Sequence, residues 1–175
     1  MSSYQLRTPR NKFKIVAVGG TFDLLHRGHK ILLRKALQIG ERIMVGLTEN
    51  GFARTLHKPH RVDPYRRRER ELKSFLKKHG GVDRTEIVAL RDPFGPSIHD
   101  RRIEAIVVSE KTKRTAIMIN RIRREKGLKP LRIISIDMVL AEDYVPISTT
   151  RIRRGRIDRE GYLTDKRSST GQTLL

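Results

Sequence analysis

The sequence predicts an α/β protein: about five parallel β-strands in a doubly wound sheet with helices on both faces. Three observations carry that reading. Short β-branched runs alternate with amphipathic helical stretches along the chain, the pattern of a parallel sheet whose crossovers are helices. The first such run, Lys14-Ile15-Val16-Ala17-Val18, passes through Gly19-Gly20-Thr21 directly toward a helix. The 175 residues show no internal repeat and suffice for one domain with its own hydrophobic core.

The elements follow in order. Residues 1–13 are read as a flexible N-terminal segment and 14–161 as the folded domain. The first strand covers 14–18. A helix is predicted from Gly28 or His29 to Ile39, with Ile31, Leu32, Leu33, Ala36, Leu37 and Ile39 on a broad apolar face and Gly40 as its stop. The second strand is 42–47. Residues 48–62 read as one long loop carrying Arg54, His57, Lys58, His60 and Arg61, and long loops in compact domains are usually functional or mobile. Asp63 then offers an N-cap, with Pro64 at the first helical position. The helix it opens stripes Tyr65, Leu72, Phe75 and Leu76 inward and ends before Gly80-Gly81. Strands at 85–90 and 105–108 flank the turn-rich Asp92-Pro93-Phe94-Gly95-Pro96. A helix over 113–126 turns Met118, Ile119 and Ile122 inward and stops at Gly127. A fifth strand covers 131–136, and 147–153 reads as the capped start of a short helix. Residues 162–175 read as a disordered tail.

Composition bounds the function. There are no cysteines, so disulfides, thiolate metal sites and cysteine nucleophiles are excluded, and a cytoplasmic protein fits. No apolar run approaches the roughly 18 residues of a membrane span, and the first residues lack the apolar core of a secretory signal. The net charge of +20 draws polyanions of any kind: nucleic acid, anionic membrane or phosphorylated metabolites. With 5% aromatics and no Trp, stacking platforms for nucleic-acid bases are sparse. The dense Arg and Lys of the 65–79 and 113–126 helices, including Arg66, Arg67, Arg68, Arg121, Arg123 and Arg124, read mostly as solvated faces.

The chemistry concentrates in Gly19-Gly20-Thr21-Phe22-Asp23-Leu24-Leu25-His26-Arg27-Gly28-His29. In a doubly wound sheet this turn lies at the carboxyl edge of the strands, where ligands bind. Unpaired N–H groups and the positive end of a helix dipole point there and suit phosphate oxygens. Gly19 and Gly20 admit a close backbone approach, Thr21 offers a hydroxyl, and His26 and His29 offer N–H donors for charge that grows in a transition state. The pattern is neither the dinucleotide fingerprint nor the Walker A loop. A zinc site on His26 and His29 lacks further ligands at recognisable spacing. The loops after the next three strands bring Lys58, Asp92 and Ser109 to the same edge. Ser148-Thr149-Thr150-Arg151 can cap a helix or hold phosphate oxygens.

Gly-Gly-Thr-Phe-Asp-x-Leu-His-x-Gly-His resembles the H-x-G-H motif of the nucleotidyltransferase superfamily. Asp92–Pro96, Val107–Thr112, Asn120 with Arg123, and Ile147–Ile152 follow in an order similar to the phosphopantetheine adenylyltransferases of archaeal and eukaryotic type. The resemblance spans roughly 14–161. Lys111 stands where that family carries an acidic residue, and Thr149 where it carries serine. It implies a Rossmann-like nucleotidyltransferase domain that moves an adenylyl group from ATP, with Mg²⁺, to 4′-phosphopantetheine without a covalent intermediate. It implies that Gly19, Gly20, Thr21, Phe22, His26, Gly28, His29, Ser109, Thr112, Ser148, Thr149, Thr150 and Arg151 hold ATP. Thr21, Lys58 and Asp92 would hold the acceptor, with His26, His29, Thr21 and Lys58 acting in catalysis. No protein metal ligand, membrane or specific nucleic acid is implied. Two other readings stand beside it: a sister enzyme acting on flavin mononucleotide or glycerol phosphate, which the opening motif alone does not separate, and a basic nucleic-acid-binding protein.

Overall fold

The computed structural model describes residues 13–164. The expectations for the remainder of the N-terminal segment and of the tail lie outside those residues. Residues 162–164 are placed, and Leu163 bridges Ile157 in antiparallel fashion, so the described domain extends past 161.

Ten elements follow one another: β1 (Phe13–Gly20), α1 (Arg27–Ile39), β2 (Gly40–Thr48), α2 (Asn50–Thr55), α3 (Tyr65–Lys78), β3 (Thr85–Leu90), β4 (Ala105–Ser109), α4 (Lys113–Glu125), β5 (Arg132–Ile136) and α5 (Thr149–Arg153), with short 3₁₀ turns before β3 and at Gly95–Ile98. All pairings are parallel, in the order β3-β2-β1-β4-β5. The order reverses between β1 and β4, which sets a crevice at their carboxyl ends.

Alternation along each strand divides the core between two faces. Val16, Val18, Ile43, Val45 and Leu47 pack with α1 and α3, while Ala17, Met44, Ile106 and Val108 turn toward α4. The first cluster has seventeen buried residues and the second eight. At about 1.5–3 kcal/mol per buried large side chain, the α1/α3 face carries most of the hydrophobic stabilisation. The thinner α4 face, where small Ala17 and Gly46 leave room, keeps an open cavity.

Local departures from the predicted elements have physical causes. Gly40 ends α1 in extended backbone, φ −105°, and β2 begins there. The glycine is required for space, because a Cβ would lie 2.8 Å from both Ile43 Cδ1 and Val16 Cγ2. The predicted 48–62 loop contains α2. Pro64 itself is the N-cap of α3, and the Tyr65 N–H donates to Asn50 Oδ1 on α2 at 2.8 Å, so the cap comes from another element. On α4, Met118 is 52% exposed, and the buried face is Ala116, Ile119, Asn120 and Arg123.

The solvated reading of the arginines fails at two positions. Arg68 and Arg123 are each 1% exposed. Arg123 donates to the carbonyls of Ser97, Asp100 and Lys129 at 2.7–3.0 Å. Arg68 donates to the carbonyls of Asp63, Thr21 and Thr48 at 2.7–2.8 Å, and to Asn50 Oδ1 at 3.3 Å. Buried guanidinium is tolerated only when its donors are used, and here they pin the ends of β1 and β2 to α3. Asn120 exchanges bonds with the Leu131 backbone at 2.7 and 2.9 Å.

Candidate active site

A cavity of about 540 Å³ opens at the carboxyl edge of the sheet. The β1–α1 turn forms its floor. The loop after α2 closes one side with Lys58 and His60, the β4–α4 loop another with Ser109, Lys111 and Thr112, and the start of α5 brings Ser148, Thr149 and Thr150. Thus Gly19, Gly20, Thr21, Phe22, His26, Gly28, His29 and Lys58 come together with the Ser and Thr residues expected from the sequence.

Two expected residues are placed elsewhere. Asp92 does not line the cavity, because its Oδ1 accepts the Phe94 and Gly95 N–H groups at 2.8 and 2.7 Å and shapes the turn. Arg151 turns to the other side of α5, where its guanidinium pairs with Asp143 and donates to the Val145 and Pro146 carbonyls at 3.0 and 3.3 Å.

The floor is strained and braced. Phe22 and Leu24 both adopt left-handed backbone, φ 47° and 48°, at a cost of order 1–3 kcal/mol each. Asp23 lies between them, fully buried. Its carboxylate accepts from Arg153 Nη2 and Nε at 3.0 and 3.1 Å and from the Asp63 N–H at 3.0 Å. Burial pushes its pKa up, but Arg153, the Asp63 N–H and the neighbouring positive charge outweigh that and hold it below the usual carboxylate value. The Asp23 carbonyl accepts the Thr149 hydroxyl at 2.9 Å, and Arg68 holds the carbonyl of Thr21. Elements far apart in sequence therefore fix a turn that its own residues disfavour.

On that turn the two histidine rings stack, 3.7 Å between centroids with planes 22° apart, and Phe22 meets His29 edge-on at 5.3 Å. The His26 N–H approaches His29 Nδ1 at 3.4 Å, which assigns the His29 proton to Nε2. His26 Nδ1 is buried with no hydrogen-bond partner among the described residues. Burial, with Lys58, Lys111 and Lys30 nearby, pushes His26 down to about 4. Burial, then His26 and Lys58, pushes His29 well below its ordinary value. Both rings are neutral near pH 7, so each keeps one N–H donor and one acceptor. Lys58 Nζ donates to Thr21 Oγ1 at 3.1 Å, and burial lowers its pKa. Lys111 adds a second ammonium to the cavity lining. Neutral donors beside ammonium groups suit a polyanion.

Sequence reasoning missed three participants. Asp23 was visible only as a member of the opening motif, and Arg153 as one more arginine. His60 was visible only as one residue of the 48–62 loop, yet its side chain is 10% exposed, with Nε2 3.6 Å from Asp23 Oδ2 and Nδ1 3.2 Å from Thr150 Oγ1. Its spacing of two from Lys58 on a long loop was the available signal.

A family model described as cytidylyltransferase-like matches residues 17–155, a span that includes every residue lining the cavity. A phosphopantetheine adenylyltransferase of Methanothermobacter thermautotrophicus is 44% identical over 154 residues, 88% of this chain and 92% of the relative. The chain belongs to the phosphopantetheine adenylyltransferase family. A second member, from Methanopyrus kandleri, is 43% identical over 90% of this chain and 99% of its own length. In three dimensions, the crystal structure of an Archaeoglobus fulgidus protein titled as being of unknown function is similar, with TM-score 0.64, 31% identity and coverage of 76% of this chain and 98% of that one. The adenylyltransferase family is thus matched over nearly the whole described domain. No helix among the described residues is long and apolar enough to cross a membrane.

Proposed function

We propose that this chain transfers the adenylyl group of ATP to 4′-phosphopantetheine, giving dephospho-coenzyme A and pyrophosphate in the cytoplasm. The observation that carries the reading is the stacked, neutral His26–His29 pair facing a cavity that also holds Lys58 and Lys111. Such a site receives phosphates. An oxygen of the acceptor phosphate attacks the α-phosphorus of ATP. The bond from that phosphorus to the oxygen leading to the β-phosphate breaks in line, and pyrophosphate leaves.

The attacking group is already an anion, so no strong general base is needed. What the protein supplies is alignment of two mutually repelling anions, worth up to roughly 10 kcal/mol, and donors where negative charge grows. His26 and His29 donate to the ATP phosphates. Lys58, held against Thr21, neutralises the acceptor phosphate, and Thr21 lies between the two substrates. Ser148, Thr149 and Thr150 take the β- and γ-phosphates, and Ser109 and Thr112 border the nucleotide. Arg151 and Asp92 act on the loops around the site. Mg²⁺ enters as part of the MgATP substrate.

The test is pyrophosphate release from ATP with a panel of phosphorylated acceptors. Release with 4′-phosphopantetheine alone is expected. Release only with flavin mononucleotide or glycerol phosphate would assign a different acceptor.

A further inference from the structure

His60 joins three parts of the cavity wall that are distant in sequence. Its own loop carries Lys58. Its Nε2 lies 3.6 Å from Oδ2 of Asp23, on the β1–α1 turn. Its Nδ1 lies 3.2 Å from Oγ1 of Thr150, on α5. Nε2 is buried with no hydrogen bond made among the described residues, and Thr150 lines the cavity. The order carboxylate, imidazole, hydroxyl gives the hydroxyl two states. With His60 neutral and its proton on Nε2, Nδ1 accepts the Thr150 proton, and lone pairs of Thr150 face the cavity. With both nitrogens protonated, Nδ1–H donates to Thr150 Oγ1, and the Thr150 proton turns outward as a donor.

Resting on the adenylyltransferase reading, we propose that His60 is a positioning residue that takes up a proton when the nucleotide binds and thereby turns the Thr150 hydroxyl into a donor to the triphosphate. The charged groups facing His60 decide its state. Burial disfavours the imidazolium and Asp23 favours it, whereas Lys58 from its own loop, Arg153 of α5 and Arg154 just after α5 oppose it. In the free protein the opposing groups prevail and the ring is neutral near pH 7. A triphosphate brought against Lys58 and Thr150 offsets those cations, leaving Asp23 to stabilise the proton. Histidine is suited to this role because its charge changes near neutral pH. Among the described residues, neither His26 nor His29 has a carboxylate paired with its ring as Asp23 is paired with His60, and both remain neutral donors.

The experiment is titration calorimetry of the full chain with MgATP near pH 7, in buffers of different ionisation enthalpy, for the wild type and His60→Gln. Ionisation of the nucleotide and of the other histidines is common to both proteins, so their difference in protons taken up isolates His60. The expected result is an excess uptake of a substantial fraction of one proton in the wild type and about tenfold weaker binding in H60Q, the scale of one lost hydrogen bond. Thr150→Val should weaken binding similarly while keeping the uptake, and Thr150→Ser should restore affinity. If H60Q does not fold, ¹⁵N-histidine spectra of the wild type read the same change directly, from one neutral tautomer to imidazolium on adding MgATP. Equal uptake in both proteins, or an unchanged His60 spectrum with MgATP bound, overturns the inference and leaves adenylyl transfer standing. A wild type that binds no MgATP overturns the adenylyltransferase reading, and this inference with it.

Discussion

Replacing Arg68 with lysine tests whether the active-site floor is held from beneath. The guanidinium is 1% exposed and satisfies three carbonyls and one side-chain oxygen, on Asp63, Thr21, Thr48 and Asn50. Lysine retains the charge but presents its donors from a single point, without the separate Nε–H that serves Asp63. With its ammonium placed where Nη1 meets the Thr21 and Thr48 carbonyls, the Asp63 carbonyl loses its partner, at about 1–3 kcal/mol, while Asn50 Oδ1 keeps the Tyr65 N–H. The expected loss is about 2 kcal/mol, a fall in Tm on the order of 5 °C for a domain of this size. Urea denaturation should show a lower midpoint at unchanged slope. Because an ammonium holds the Thr21 carbonyl without the fixed geometry of the guanidinium fork, kcat should fall as well. Arg66→Lys, two residues earlier and exposed, should stay within about 0.5 kcal/mol of the wild type. A loss below about 1 kcal/mol in Arg68→Lys would refute the claim that this guanidinium braces the ends of β1 and β2.

Other outcomes follow from the same geometry. His29→Ala should lower kcat by on the order of 10²–10³ in steady-state kinetics, comparable to losing one oxyanion donor; near-normal turnover would remove His29 from catalysis. Gly28→Ala should separate activity from stability. Its Cβ would lie 3.1 Å from His26 Cε1 and 3.2 Å from Nδ1, displacing the ring by a few tenths of an ångström, so kcat should fall about tenfold while Tm holds or rises with the gain in helix propensity. Acid should destabilise the protein through His26. Its folded value of about 4 lies below the ordinary 6.5, so the unfolded chain binds more protons between those limits. Stability is therefore full above pH 6.5 and lost as pH falls toward 4, by about 3 kcal/mol for this group. Calorimetric melts of the wild type and His26→Asn across that range should diverge, and parallel curves would contradict the buried neutral assignment.

Much of this arrangement was legible in the sequence, for identifiable reasons. The strands announced themselves because each is a short apolar, β-branched run, and the opening turn because Gly-Gly-Thr and the paired histidines fall between a strand and a helix. α2 escaped because six residues make no readable period and Gly51 argues against a helix. Arg68 and Arg123 were hidden among like neighbours. The signal was their register: Arg68 shares a stripe with Leu72 and Leu76, and Arg123 with Ala116, Ile119 and Asn120. An arginine on an apolar stripe is a candidate for buried carbonyl bonding. The Asp23–Arg153 pair spans 130 residues, and no local pattern links its ends. Arg151 and Asp92 show the reverse case: Arg151 suited phosphate and the resemblance set Asp92 by the acceptor, but Asp143 and the Phe94 and Gly95 N–H groups claimed their side chains.

The central claim is direct transfer of an adenylyl group onto 4′-phosphopantetheine in the cavity floored by His26 and His29. ATP labelled at the α-phosphorus tests it most directly, with products separated and identified by mass. The account predicts label in dephospho-coenzyme A, formed in equal amount with unlabelled pyrophosphate and dependent on the phosphorylated acceptor. Label recovered only as AMP, or in another acceptor with 4′-phosphopantetheine left unchanged, would contradict it.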